Sequence, residues 1–150
     1  MKMRFLADQR GAAGVEAALV APVLLAVVMG AGDMGTMLLE RHKMKAGLAT
    51  GARYLAHAPN PTTLETAAKN LAVTGQISGG TATVPTWATS QVTVSYRMIS
   101  NSSGQYIGGP SIRVIRLASS RTYTGFGMLK MVGMSSVPLS VAHEERWTGG

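Results

Sequence analysis

Residues 10–40 read RGAAGVEAALVAPVLLAVVMGAGDMGTMLLE, and this stretch decides the fold. Between Ala12 and Gly32 the one charge is Glu16, and after Asp33 the run Met34 to Leu39 is again largely apolar. At 1.5 Å rise per residue, Ala12 to Gly32 covers about 31 Å, close to the hydrocarbon thickness of a bilayer. One membrane-spanning helix is expected over 12–39, with Asp33 capping the membrane segment at the far interface in preference to pairing across helices.

Beyond Glu40 the pattern turns amphipathic. Met44, Leu48 and Leu55 recur at helical spacing while Arg41, Lys43, Lys45 and Arg53 are polar, and nothing forces a break before Pro59. A single helix from 12 to 58 would be about 70 Å long, part in lipid and part beyond it. Thr62-Thr63-Leu64-Glu65 has capping-box spacing, and Leu64, Ala67, Ala68, Leu71 and Ala72 form a helical stripe, so a short second helix should end near Gly75.

After Gly79-Gly80 the period becomes two. Val92, Val94, Tyr96 and Met98 alternate with polar residues, turns follow at 101–104 and 108–110, and Ile112 to Leu117 and Val137, Leu139 and Val141 read as further strands. The expected class is α+β: a long N-terminal transmembrane and amphipathic helix, a short second helix, and a small antiparallel sheet with one apolar face. The expected parts are a leader at 1–11, a transmembrane helix at 12–39, its continuation at 40–58 and a head at 59–150.

Composition agrees. Of 150 residues 46% are hydrophobic and only 14% charged, against about 25% charged in an ordinary soluble domain, which excludes intrinsic disorder. The net charge is +7, but the basic residues are scattered apart from Arg41, Lys43 and Lys45, which suit lipid head groups better than nucleic acid. No nucleic-acid partner is expected. Without cysteine there is no disulfide or thiolate metal site.

Motif matches elsewhere are decoys. Gly30-Ala31-Gly32-Asp33-Met34-Gly35 fits G-x-G-x-x-G but follows no strand. His143-Glu144-Glu145-Arg146-Trp147 lacks the second histidine of a zinc-protease motif and reads as a solvated tail. Asn101-Ser102-Ser103 is a weak glycosylation sequon. Acidic residues beyond the leader and span are Glu40, Glu65, Glu144 and Glu145 alone, too few for an evident acid–base site, so no enzyme, cofactor or metal is expected.

Glu16 stands out because a carboxylate one turn inside an apolar helix is costly unless it has a partner or sits at the interface, where the positive helix end favours it. Pro22 removes one helical hydrogen bond and should kink the span. Ala31-x-x-x-Gly35 and Gly47-x-x-x-Gly51 have the small-x-x-x-small spacing that lets helix backbones approach closely.

The stretch from Arg10 to Leu25, followed by Gly47 to Ala56 with Gly51-Ala52-Arg53-Tyr54 at its centre, resembles the TadE-like family of tight-adherence (Tad/Flp) pilus assembly. Weaker similarity appears in Val92 to Tyr96 and Leu139 to Arg146. The resemblance implies a pilin-like minor pseudopilin whose leader a prepilin peptidase cuts after Gly11. Ala12 then becomes the N-terminus and Glu16 the fifth residue, compensated by the freed α-amino group of the same or a neighbouring subunit. The residue after that glutamate is Ala17, where the small major pilins carry an aromatic, so the likeness is to the minor, TadE-type proteins. Implied partners are other pilins and pseudopilins, the prepilin peptidase, the inner-membrane assembly platform and the bilayer. The implied location is the bacterial inner membrane, N-terminus cytoplasmic and head periplasmic, with incorporation into an extracellular pilus. Positive-inside counting leaves orientation open, since cations flank both ends of the span. The competing expectation is a secreted periplasmic binding protein, with Lys2 and Arg4 as n-region and a signal-peptidase cut around Gly30 to Gly32.

Overall fold

The computed structural model describes residues 9–107, 109–125, 133 and 136–149, with side chains from Gly11 onward. Most of the expected leader lies outside the described residues. The first element is a 48-residue helix, α1, from Gln9 to Ala56. It begins upstream of Gly11 and passes unbroken through Pro22, Asp33 and the glycines at 30, 32 and 35. Asp33 lies inside this continuous helix and is fully buried.

Two compact units are present. One holds α1 up to Thr36, and the other, the head, starts at Met37 and runs to Tyr123, resuming at Ser136. The helical segment 40–58, expected as a continuation apart from the head, is thus the head's own core helix. Met44, Leu48, Ala52 and Leu55 are fully buried, while Arg41, Lys43, Lys45 and Arg53 are exposed.

A 3-10 turn, Pro61–Leu64, leads into α2, Glu65–Thr74. The capping box expected at Thr62 to Glu65 does not form. Asn60 is the residue before the turn and supplies acceptors instead: Thr62 Oγ1 donates to its side-chain oxygen at 2.8 Å and Thr63 Oγ1 to its carbonyl at 2.9 Å. Proline at the first position favours this tighter entry because its ring fixes φ and it has no N–H to satisfy. Gly75 ends α2 in the left-handed region at φ 77°, its N–H reaching the Leu71 carbonyl at 2.9 Å.

Three strands follow: β1, Val92–Ser100; β2, Ser111–Tyr123; and β3, Val137–Arg146. They form an antiparallel meander ordered β1-β2-β3 among the described residues, with Val94 opposite Leu117 and Leu117 opposite His143. The inner face carries Val92, Ile115, Leu117, Leu139 and Val141, all buried. Apart from the buried Ile112 and Val114, the outer face is wet and crossed by Glu144, which pairs with Arg116 at 3.2 Å and Arg97 at 3.4 Å. These pairs are exposed and add little stability. Met98, expected on the apolar face, is 59% exposed because the alternation fades along β1 after Tyr96. Strand β2 runs six residues past its expected end at Leu117, keeping Ser119, Arg121 and Tyr123 on the inner side.

The C-terminus departs most from expectation. Instead of a solvated tail, His143 to Arg146 complete β3, and the next two residues close on the end of α1. Trp147 Nε1 donates to the Ala58 carbonyl at 2.9 Å while Arg113 lies over its ring at 4.9 Å. Thr148 donates from its backbone and its hydroxyl to the Ala56 carbonyl at 2.9 and 3.1 Å. Helices end with unpaired carbonyls, and this chain satisfies one of them with its own terminus.

Candidate functional site: the apolar half of α1 and the start of the head

Twelve large apolar side chains between Val15 and Leu39 are at least 46% exposed, Leu19 reaching 70% and Val28 67%. An 18-residue window of this helix has a mean hydropathy of 2.2 with none of it buried. Leaving such side chains half-exposed in water costs about 1 kcal/mol each, a total on the scale of the 5–15 kcal/mol that holds a whole domain together. Lipid or other apolar helices remove that cost. α1 is long and apolar enough to cross a membrane.

Glu16 sits on this surface, exposed, with Ala12 and Ala13 one turn before it and Leu19 and Val20 one turn after. Every helical neighbour within reach is apolar, so among the described residues no cation of the chain pairs with it. Gly11 and Ala12 lie within α1 and are exposed, and among the described residues a Cβ on Gly11 would meet nothing within 4 Å. Pro22 leaves the Ala18 carbonyl without its usual helical donor. Thr36, by contrast, turns its hydroxyl back onto the helix, donating to the carbonyls of Gly32 at 3.2 Å and Asp33 at 2.9 Å. Such back-bonding makes a hydroxyl tolerable at membrane depth.

The two small-x-x-x-small pairs have different surroundings. Among the described residues a Cβ on Gly35 would meet nothing within 4 Å, and Ala31 is exposed. A Cβ on Gly47 would stand 2.2 Å from the Ala72 carbonyl oxygen, and one on Gly51 2.7 Å from that of Ala68. The close approach that this second pair permits is therefore made within the chain, by α2. At Gly47 and Gly51 the helix that packs at close range is α2 of the same chain.

The head begins with a buried ion pair that sequence reasoning misses. Arg121, 4% exposed, donates from Nη1 to Glu40 Oε2 at 2.6 Å and from Nη2 to Thr86 Oγ1 at 2.8 Å. Its Nε finds no acceptor among the described residues. Thr86 has φ 60°, a left-handed conformation that a β-branched residue adopts only when its surroundings enforce it, and the Arg121 bond supplies part of that constraint. The signal that could have found the pair is the period of β2: Arg121 falls on the inward parity set by Ile115, Leu117 and Ser119, where a charge requires a buried partner.

Two more buried polar contacts tie the head together. Trp87 Nε1 donates to Ser119 Oγ at 2.9 Å, and the Tyr96 hydroxyl donates to Glu65 Oε1 at 2.9 Å. Burial first, and the Glu65 carboxylate second, push the Tyr96 phenol well above its ordinary range. The sequon asparagine, Asn101, is 5% exposed and organises the β1–β2 turn, its Nδ2 donating to the Tyr106 and Gly109 carbonyls at 2.8 and 3.1 Å. That amide is committed to the fold. The three histidines lie apart: His42 on α1, His57 beside Thr148, and His143 on β3 facing Glu145 at 3.1 Å. No group of three or more His, Asp or Glu is placed to hold a metal among the described residues. Gly30 to Gly35 are helical throughout and form no phosphate-binding loop.

Comparison with known proteins identifies the same stretch of chain. A family model described as TadE-like protein matches residues 11–53, which contain the apolar half of α1 and most of the helix's run through the head. No curated protein and no solved structure matches the chain.

Proposed function

We propose that this chain is a minor pseudopilin of a Tad/Flp-type pilus assembly system, a structural subunit anchored in the bacterial inner membrane and without enzymatic activity. The TadE-like match over 11–53 supports a Tad pilus association. The observation that carries the reading is the wholly unburied apolar window of α1, since a surface of that kind has to be covered by lipid or by like helices.

In this reading the prepilin peptidase removes the leader after Gly11, leaving Ala12 as the N-terminus. Glu16 enters the bilayer lacking a cationic neighbour in its own helix, and the freed α-amino group, on the same or an adjacent subunit, offsets a charge that costs about 3 kcal/mol at membrane depth. The open Ala31 and Gly35 surface seats a neighbouring pilin helix at close range. A bend at Pro22, where one helical hydrogen bond is missing, would ease extraction of the helix by the assembly platform. The head stays on the periplasmic side and faces outward when the subunit joins the pilus.

The test is the mass and N-terminal sequence of the mature chain, made with and without a co-expressed prepilin peptidase. A start at Ala12 that depends on the peptidase is expected, whereas a start near Asp33 and a freely soluble product would mean an ordinary secreted protein and refute the proposal. Glu16→Ala should impair processing or assembly, and unchanged values of both would remove the carboxylate from the mechanism.

A further inference from the structure

We propose that the cleft between α1 and β3 at the start of the head binds the phosphate head group of an anionic phospholipid. The cleft has a volume of about 260 Å³, roughly nine water volumes, and is lined by Leu38, Arg41, His42 and Lys45 from α1 and by residues 140–142 of β3. Three nitrogen-bearing side chains converge on it, and among the described residues none of them has an ion-pair or hydrogen-bond partner. The acid nearest in sequence, Glu40, is committed to Arg121. Strand β3 is an edge of the described sheet, so alternate main-chain N–H groups around Ser140 point away from β2 and add donors. Ser140 Oγ is engaged with Ser120 Oγ at 2.9 Å, so the free groups are the cations and the main-chain donors, and together around one cavity they suit an anion with several oxygens.

Its place on the helix selects the source of that anion. Leu38 lines the cleft and is 46% exposed, and Leu39 beside it is 55% exposed. These are the last large apolar side chains of the run, and Arg41 follows Leu38 by less than one turn, about 4.5 Å along the axis. A head-group layer is only about 5–7 Å deep on each side of the hydrocarbon. An apolar wall at the membrane end and a basic wall beyond it match a phospholipid at its glycerol–phosphate junction. A free phosphate would make no use of Leu38. The proposal rests on α1 spanning the membrane and is independent of pilus assembly.

The experiment uses the full-length mature protein in a neutral detergent, titrated with dioctanoyl-phosphatidylglycerol, dioctanoyl-phosphatidylcholine or inorganic phosphate, and read by native mass spectrometry. Phosphatidylglycerol should bind in preference to phosphatidylcholine. Arg41→Ala with Lys45→Ala should weaken it about thirty-fold, the effect of losing two cations beside an anionic lipid, and Arg41→Gln with Lys45→Gln should do the same. Lys43→Ala with Lys69→Ala removes equal charge away from the cleft and should leave binding within about two-fold. Tryptophan fluorescence of each variant should show the native unfolding temperature. Equal binding of the two lipids, equal losses in both pairs of variants, or displacement by inorganic phosphate at the lipid's own concentration would overturn the site. A chain needing no detergent would instead overturn the membrane reading beneath it.

Discussion

Replacing Gly47 by alanine adds a single methyl group, and the structure fixes where it goes. The new Cβ would stand 2.2 Å from the Ala72 carbonyl oxygen and 3.1 Å from Trp87 Cη2. The first of these is backbone in the last turn of α2, so it has no rotamer through which to escape, and α2 must shift by close to an ångström. Overpacking of this kind costs about 1–3 kcal/mol, and a backbone clash belongs in the upper half of that range. Alanine in place of glycine returns about 0.8–1 kcal/mol through helix propensity. The net loss is about 1–2 kcal/mol, which for a head of this size lowers the melting temperature by about 5–15 °C. Both tryptophans, Trp87 and Trp147, lie in the head, so their fluorescence in detergent reports its unfolding. Gly35→Ala is the control, because it lies outside the head and no described residue comes within 4 Å of its Cβ position, and it should leave the head's transition unchanged. If Gly47→Ala melts at or above the native temperature, α2 does not lie on this face of α1 and the packing described above is wrong.

Further expectations concern the buried polar contacts. Arg121→Ala strands Glu40, which is only partly exposed, and should cost about 3 kcal/mol in denaturant unfolding. Replacing both partners with apolar residues, Glu40→Leu with Arg121→Met, should recover most of the loss. Tyr96→Phe should cost about 1 kcal/mol at neutral pH by removing the bond to Glu65. Because the folded phenol holds its proton to higher pH than the unfolded one, the unfolded state sheds protons first above pH ~10 and stability falls there as pH rises. Absorbance titration should show one of the four tyrosines ionising only with unfolding, and Tyr96→Phe should flatten that alkaline slope. Asn101→Ala should loosen the β1–β2 turn by about 1–3 kcal/mol, measurable as faster hydrogen exchange at Tyr106 and Gly104, whose N–H groups bond to Asn101.

What could be read from the sequence follows from the range of each signal. The period-3.6 and period-2 patterns are local, and they place α1, α2 and all three strands, with Met44, Leu48 and Leu55 as core residues. Strand ends are hard to place where polar residues occupy inward positions. Ser119 and Arg121 look like the end of β2 because their partners, Trp87 Nε1 and Glu40, are 32 and 81 positions away. The same applies to the C-terminus. His143 to Arg146 read as a solvated tail since nothing local reveals that Trp147 and Thr148 close on the end of α1, 89 and 92 residues earlier. The capping box fails for a local reason, because Pro61 fixes the chain's entry into a 3-10 turn before Thr62 can serve as a cap.

The two small-x-x-x-small pairs show why spacing alone does not assign a partner. Both present a flat helical strip, and what meets each strip depends on the chain that follows. Sixteen residues after Gly51 the stripe Ala67, Ala68, Leu71 and Ala72 returns on a helix short enough to lie antiparallel against α1, with small side chains that match the missing Cβ atoms. Gly47 and Gly51 are consumed by that return. Ala31 and Gly35 lie in the apolar run, flanked by side chains such as Val28 and Met34 that remain more than half exposed. A strip of that kind gains nothing from water and little from lipid tails, which cannot follow its flat contour as a rigid helix can, so its favourable partner is another helix at close range. Filament packing in the proposed pilus would therefore draw on the first pair and leave the second to hold the head together. Crosslinking through cysteines placed at Ala31 should capture a neighbouring subunit in assembled material, and the same substitution at Gly47 should not.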